Sequence, residues 1–132
     1  MRIIYLTLSL TSLNCQTKKN EYLKKEKYIT VESNLKLFVE TFGESNKEAC
    51  IFISGAGANS SFWSEDLCKK LVDENYFVIK YDHRDFGYSS KLNWKTNPYD
   101  FNSLVTDVVK ILDSLKIKKA HFIGHSMGGF IV

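Results

Sequence analysis

The sequence predicts an α/β protein whose sheet is mostly parallel and begins with an antiparallel hairpin. After the hairpin, strand-like and helix-like patterns alternate, as they do in parallel sheets with crossover helices. A continuous apolar run at residues 49–53 is typical of a strand buried on both faces. With 132 residues, 44% of them hydrophobic and 25% charged, the chain has the composition of one globular domain at most.

Two strand-like segments, 28–32 and 35–42, form the predicted hairpin. Ser33-Asn34 between them is a two-residue connection of the kind that joins antiparallel strands. The second segment alternates so that one face is mostly apolar, as expected for a strand with one face on a core. The hairpin therefore makes the predicted sheet mixed.

The later elements follow from their hydrophobic patterns. We predict strands at 49–53, 76–81 and 120–123, and helices at 62–75 and 99–115. Ligands of such sheets bind at the carboxyl ends of the parallel strands. We therefore expect the loops 54–61, 82–90 and 124–129 to meet at one site.

The segment Gly124-His125-Ser126-Met127-Gly128 lies between the last predicted strand and a new apolar run. Gly-x-Ser-x-Gly between a strand and a helix is typical of the nucleophile elbow of serine hydrolases. We assign Ser126 as the nucleophile, and Gly124 and Gly128 as elbow glycines that let the backbone turn sharply. Adjacent residues on such a turn point apart, so we predict that His125 packs beside the elbow and is not the base.

Attack by a serine on an ester places negative charge on the carbonyl oxygen, and backbone N–H groups must stabilise it. One predicted donor is the N–H of Met127, the residue after the nucleophile. The other is the N–H of Ala56, in the loop after the buried strand, with Gly57 as the neighbouring candidate. Gly55 and Gly57 allow the backbone of this loop to approach closely.

A dinucleotide site is an alternative interpretation of the same loop. Residues 55–60 approximate Gly-x-Gly-x-x-Gly, and Asp82 follows the next strand, where a ribose-binding carboxylate would lie. Ser60 replaces the third glycine, however, and this interpretation leaves the elbow unexplained. Dinucleotide binding is therefore the less favoured alternative.

Charged residues follow the predicted strand at 76–81. Arg84 stands between Asp82 and Asp85, and we expect these three to form an ion-pair cluster that shapes the loop. His83 in the same turn is assigned a structural role. His121 falls inside a predicted buried strand and is expected to be a core histidine.

Residues 1–15 resemble an export signal. Arg2 precedes a short apolar run, which is typical of a secretory signal and is far shorter than the ~20 residues that span a bilayer. Cys15, after Ser-Leu-Asn, resembles the cysteine of a relaxed bacterial lipobox. We predict lipidation of Cys15, a polar tether at 16–27 and an exported lipoprotein on a membrane surface. A non-lipidated signal of a secreted or periplasmic protein, or an apolar strand, is the alternative.

Composition argues against several other partners. The net charge is only +3 and the lysines are scattered, so we expect no nucleic-acid partner. The cysteine and histidine spacing matches no metal site, and we expect neither a metal nor another cofactor. Cys50 and Cys68 are predicted to be small buried hydrophobes, although export would permit a disulfide.

Together these features resemble the α/β-hydrolase superfamily. The landmarks occur in the family's order, and they are the hairpin, the loop 54–57, the segment 81–90 and the elbow 124–129. Within the superfamily, the chain resembles esterase-like enzymes, including relatives of aclacinomycin methylesterase. Relatives with an aspartate nucleophile, such as epoxide hydrolases and haloalkane dehalogenases, are less similar because position 126 is serine.

The resemblance covers residues 28–132, which correspond to the N-terminal half of the family's domain. It implies hydrolysis of a small-molecule carboxylic ester through an acyl-serine on Ser126. The family's order of serine, acid and histidine places the acid and the base beyond Val132. We therefore expect a fold truncated after the elbow and a chain that is inactive as truncated. The alternatives are a catalytically dead remnant and a membrane-anchored binding protein that uses the same fold.

Overall fold

The computed structural model describes residues 22–132, which form one five-stranded mixed sheet with helices on both faces. The strands are β1 (Lys24–Glu32), β2 (Leu35–Phe42), β3 (Glu48–Ile53), β4 (Tyr76–Tyr81) and β5 (Ala120–Gly124). The helices are α1 (Glu65–Asp73), α2 (Phe101–Ser114) and the short α3 (Gly128–Ile131). The strand order is β1-β2-β4-β3-β5, and β3 runs parallel to both β4 and β5. The predicted mixed α/β architecture is therefore confirmed.

The sheet is covered on both faces, which explains its long apolar strands. Helices α2 and α3 pack on one face and α1 packs on the other. Side chains alternate between the two cores, so Ile51 and Ile53 of β3 face α2 while Phe52 faces α1. All three are at most 1% exposed. The prediction that β3 is buried on both faces is confirmed.

The hairpin turn lies at Ser33-Asn34 as predicted, but its first strand is longer than the sequence pattern indicates. Residues 24–27, assigned to the polar tether, pair with the end of β2. β1 is an edge strand, where charged side chains are common and blunt the edge against further pairing. The predicted signal at 1–15, and the tether up to residue 21, lie outside the described residues.

Capping residues set where the two longer helices begin. The Ser64 hydroxyl accepts the Leu67 N–H at 3.2 Å, so α1 begins at Glu65 and not at the predicted residue 62. A single 3-10 turn, Ser60–Phe62, precedes it. Asp100 and Ser103 form a reciprocal capping box that starts α2.

β5 is less buried than its apolar sequence predicts. It is hydrogen-bonded to β3, and no other strand of residues 22–132 pairs with it. Phe122 is 46% exposed and Ile123 is 37% exposed. The prediction that His121 is a core histidine is wrong, because its ring is exposed and Nε2 lies 2.8 Å from Glu48 Oε1. Apolar content alone does not distinguish a central strand from an edge strand.

The predicted cluster of Arg84 with Asp82 and Asp85 is also wrong in its partners. The buried Arg84 guanidinium donates to both carboxylate oxygens of Asp107 on α2, at 2.7 and 2.8 Å, and to Glu32 of β1 at 2.9 Å. Asp82 and Asp85 instead accept backbone N–H groups. Arg84 therefore ties the loop after β4 to other elements and not to its own neighbours.

The Arg84–Asp107 pair yields a prediction about stability. Asp107→Asn should lower the free energy of unfolding by about 3 kcal/mol, because it leaves a buried guanidinium without its main counter-charge. Urea unfolding followed by circular dichroism measures the change. Asp66→Asn, at an exposed position of α1, is the matched control and should change the free energy of unfolding by less than about 0.5 kcal/mol. Equal losses in the two variants would contradict this role.

Candidate active site

The nucleophile elbow is formed as its sequence predicts. Ser126 lies between β5 and α3 and is exposed, with a φ of 52°, in the left-handed region that non-glycine residues rarely adopt. The N–H of His125 donates to the Ile53 carbonyl at 3.0 Å, and the N–H of Gly128 donates to the His125 carbonyl at 2.9 Å. These bonds hold the strained residue beside the carboxyl end of β3.

The two elbow glycines are required for closeness and not for unusual dihedral angles. A Cβ on Gly128 would lie 2.1 Å from the Ile53 carbonyl oxygen, and a Cβ on Gly124 would lie 2.3 Å from the Gly128 carbonyl oxygen. Positive φ in this turn belongs to Ser126 alone. Glycine allows the sharp turn because two backbone segments are in contact at the positions that side chains would occupy.

The loop that follows β3 lies directly against the nucleophile. A Cβ on Gly55 would lie 3.2 Å from the Ser126 Cβ and 3.2 Å from the His125 Nδ1. Within residues 22–132, the backbone N–H groups of Ala56 and Met127 donate no hydrogen bond. Neither predicted oxyanion donor is thus used by an internal hydrogen bond in this range.

Asp82 connects two of the three loops that the sequence predicts to converge. Its carboxylate is fully buried, and it accepts the N–H of Ser60 at 2.6 Å and the N–H of Tyr88 at 2.7 Å. Gly87 has a φ of 50°, and a Cβ there would lie 1.9 Å from an Asp82 oxygen. Both carboxylate oxygens are therefore used inside the protein. The dinucleotide alternative needs this carboxylate for a ribose, and the structure argues against it.

None of the three histidines is placed to act on Ser126. His83 is buried and its Nε2 donates to the Ser54 carbonyl. The ring of His125 packs against Phe62, with ring centroids 4.6 Å apart, as expected for a residue beside the elbow. His121 pairs with Glu48, as described above. In the described part of the chain, no side chain forms a hydrogen bond with the Ser126 hydroxyl.

The two described cysteines are free and buried. Burial raises the pKa of Cys50 to about 11 and also raises the pKa of Cys68, so both thiols are poor nucleophiles. Cys15, the predicted lipidation site, lies outside the described residues.

Residues 22–132 contain no group of three His, Cys, Asp or Glu side chains arranged to hold a metal ion. None of the helices in this range is long and apolar enough to cross a membrane.

Comparison with known proteins adds independent information. Residues 49–132 match the sequence model of a family described by the alpha/beta hydrolase fold. The chain is 34% identical over 95 residues to rhodomycin D methylesterase DauP of Streptomyces sp. (strain C5), which covers 72% of this chain and 32% of that protein. It is 42% identical over 89 residues to 3-oxoadipate enol-lactonase 2 of Acinetobacter baylyi, covering 67% and 32%.

A solved hydrolase from Pseudomonas aeruginosa PA01 superposes with a TM-score of 0.69 at 27% identity, covering 81% of this chain and 38% of that one. The chain spans about a third of the length of the curated relatives it matches.

The contact between Gly128 and β3 makes the elbow sensitive to one methyl group. Gly128→Ala should lower the free energy of unfolding by about 3 kcal/mol, because the new Cβ would overlap backbone atoms that cannot move independently. Gly129→Ala is the matched control, since a Cβ there would meet nothing closer than 3.9 Å. It should be neutral or slightly stabilising, as Ala is the better helix former. Urea unfolding compares the two, and an unaffected Gly128→Ala would exclude this close packing.

Burial lowers the pKa of His83, and this outweighs the raising effects of the Ser54 carbonyl and of Asp107 and Asp82. An unfolded histidine titrates near 6.5. Below that pH the unfolded state therefore binds a proton that the folded state excludes, and stability falls as the pH falls.

The slope of unfolding free energy against pH tests this linkage. Between about pH 6.5 and pH 5, His83→Gln should reduce the slope of the unfolding free energy against pH by at most about 1.4 kcal/mol per pH unit. Tyr81→Phe keeps the buried imidazole and should keep the slope. Identical slopes for the wild type and His83→Gln would contradict the prediction.

Proposed function

Because this chain belongs to the α/β-hydrolase family, we propose that it hydrolyses carboxylic esters through an acyl-serine formed on Ser126. The fold class expected from the resemblance is confirmed by the family match and by the solved hydrolase. The single observation that supports the proposed chemistry is the exposed Ser126 in the turn between β5 and α3, against which Gly55 of the loop after β3 packs. The N–H groups of Ala56 and Met127, next in sequence to Gly55 and Ser126, donate no hydrogen bond within residues 22–132.

The proposed reaction begins with attack by the Ser126 oxygen on the ester carbonyl carbon. The new C–O bond forms as the hydroxyl proton passes to a base, and the N–H groups of Ala56 and Met127 stabilise the resulting oxyanion. The bond to the leaving oxygen then breaks, and that oxygen takes the proton from the base. Water, deprotonated by the same base, then attacks the acyl carbon. The bond between that carbon and the Ser126 oxygen breaks, the base returns the proton to this oxygen, and the acid is released.

No histidine of residues 22–132 is positioned to act as the base for Ser126. His83 and His121 have partners elsewhere, and the ring of His125 packs on Phe62. We therefore place the base and its acidic partner outside these residues, in agreement with the family order of serine, acid and histidine. The 132-residue chain by itself should accordingly be inactive as an esterase.

The proposed substrate is a small molecule with an ester or a related acyl group. Relatives that match more than two thirds of this chain carry the names of a methylesterase and an enol-lactonase. Both names describe hydrolysis of an ester-type bond at a carbonyl, which fits a serine nucleophile with backbone oxyanion donors. The loops described here favour no acyl chain over another.

Attachment to a membrane surface through lipidated Cys15 is a further part of the proposal. It is supported by the N-terminal sequence alone, where a charged residue and a short apolar run precede the cysteine. Radiolabelled palmitate incorporation in wild type, compared with Cys15→Ser, is the direct measurement. The alternative is an exported protein without an anchor.

A fluorophosphonate probe tests the chemistry. The protein is expressed both as the 132-residue chain and together with any polypeptide encoded after codon 132. The longer product should be labelled at Ser126, and the shorter chain should react at least about 100-fold more slowly, because residues 22–132 position no base at the serine. Mass spectrometry of the labelled peptide identifies the site.

Ser126→Ala should abolish labelling, while Ser45→Ala, at an exposed loop serine, should not change it. Labelling that persists in Ser126→Ala would exclude Ser126 as the nucleophile. A longer product that contains a downstream acid and histidine, yet resists the probe, would favour a binding protein that uses the same fold.

A further inference from the structure

His83 is a buried histidine for which the proposed reaction has no use. It follows β4 directly, is 2% exposed, and has both ring nitrogens engaged. Nε2 lies 2.9 Å from the Ser54 carbonyl oxygen, and Nδ1 lies 3.4 Å from the Tyr81 hydroxyl. A base for Ser126 needs a nitrogen that faces the nucleophile, so His83 does not serve in that role.

The partners determine the protonation of the ring. A carbonyl oxygen only accepts hydrogen bonds, so Nε2 must carry the proton. Nδ1 is then the acceptor, and the Tyr81 hydroxyl donates to it. Burial lowers the pKa of His83 and keeps this neutral form in the folded protein. The ring is held further by an edge-to-face contact with Tyr81 at 5.0 Å between centroids.

The Ser54 carbonyl is held from two sides. The His83 imidazole donates to it, and the α3 backbone lies so close that a Cβ on Gly128 would be 2.9 Å from its oxygen. The next residue, Gly55, packs against Ser126. The N–H of Ala56 follows one peptide later. The peptide that carries the Ala56 N–H is therefore joined to the Ser54 peptide through Gly55, which packing against His125 and Ser126 confines.

We propose that His83 is a positioning residue for the oxyanion loop. Its Nε2–H fixes the Ser54 carbonyl and thereby aligns the Ala56 N–H with the carbonyl oxygen of a substrate bound at Ser126. This inference rests on the proposed function for its catalytic consequence, whereas the ordering of the loop by His83 is independent of catalysis. The sequence offers one signal for this role. A histidine lies in the turn that follows β4, beside the end of the neighbouring strand β3.

Amide hydrogen exchange measures the ordering directly. Ala58 N–H donates to the Gly55 carbonyl and Ser60 N–H donates to Asp82, so both amides report on the loop. His83→Phe keeps an aromatic ring but removes the donor, and should accelerate exchange at these amides about tenfold. His83→Gln keeps an N–H donor and should stay within about threefold of the wild type.

Amides of α2 in the same spectra provide the control for global destabilisation. Acceleration confined to the loop in His83→Phe supports the positioning role. Exchange that is unchanged, or that rises equally in α2, would overturn it. If His83→Phe fails to fold, Tyr81→Phe provides the second test, because it removes only the hydroxyl that donates to Nδ1 and so releases one of the two hydrogen bonds that hold the ring. That variant should also accelerate exchange in the loop, and an unaffected loop there would again overturn the proposal.

Kinetics on the longer product separate this inference from the proposed function. His83→Phe should lower kcat for an ester by about 100-fold through misplacement of the donor, with KM within about threefold of wild type, and His83→Gln should recover most of the rate. A change confined to KM would overturn the catalytic part. A wild type without esterase activity would count against the proposed function, while loop exchange would still decide whether His83 orders the loop.

Discussion

The site depends on one contact, in which the elbow backbone lies against the carboxyl end of β3 with no space for a side chain between them. Gly128 touches the Ile53 carbonyl, and the N–H of His125 donates to the same oxygen. This contact fixes the start of α3, and so it holds Ser126 in the left-handed conformation despite the cost of strain. It also brings Gly55 onto the serine, because the loop that contains Gly55 continues directly from β3.

The loop after β4 connects this contact to the rest of the sheet through three buried polar side chains. Each one leaves the loop in a different direction: Asp82 binds the Ser60 N–H, His83 binds the Ser54 carbonyl, and Arg84 pairs with Asp107 of α2. Burial of such groups costs desolvation energy, so their benefit lies in a unique geometry more than in net stability. All three side chains are used in these internal contacts, so the charged turn has a structural role and provides no catalytic group.

Strand order explains how the proposed nucleophile and the proposed oxyanion donors come together although Ala56 and Met127 lie far apart in the chain. β3 and β5 are hydrogen-bonded neighbours, and their parallel course places both carboxyl ends at one edge of the sheet. The loop with Ala56 and the elbow with Met127 therefore lie at the same edge of the sheet.

The sequence by itself determined the alternation of strands and helices, the hairpin turn and the elbow, because each is encoded by local periodicity or by turn residues next to one another in the chain. It predicted Ser126 and Ala56 as candidate site residues for the same reason, because each follows the end of an apolar strand. Only the tertiary structure decided the partners of Arg84, the exposed setting of His121 and the hydrogen bond between His83 and Ser54. These three features depend on the order of the strands in the sheet and on contacts between side chains that are far apart in the chain. Neither the strand order nor such contacts produce a local pattern in the sequence.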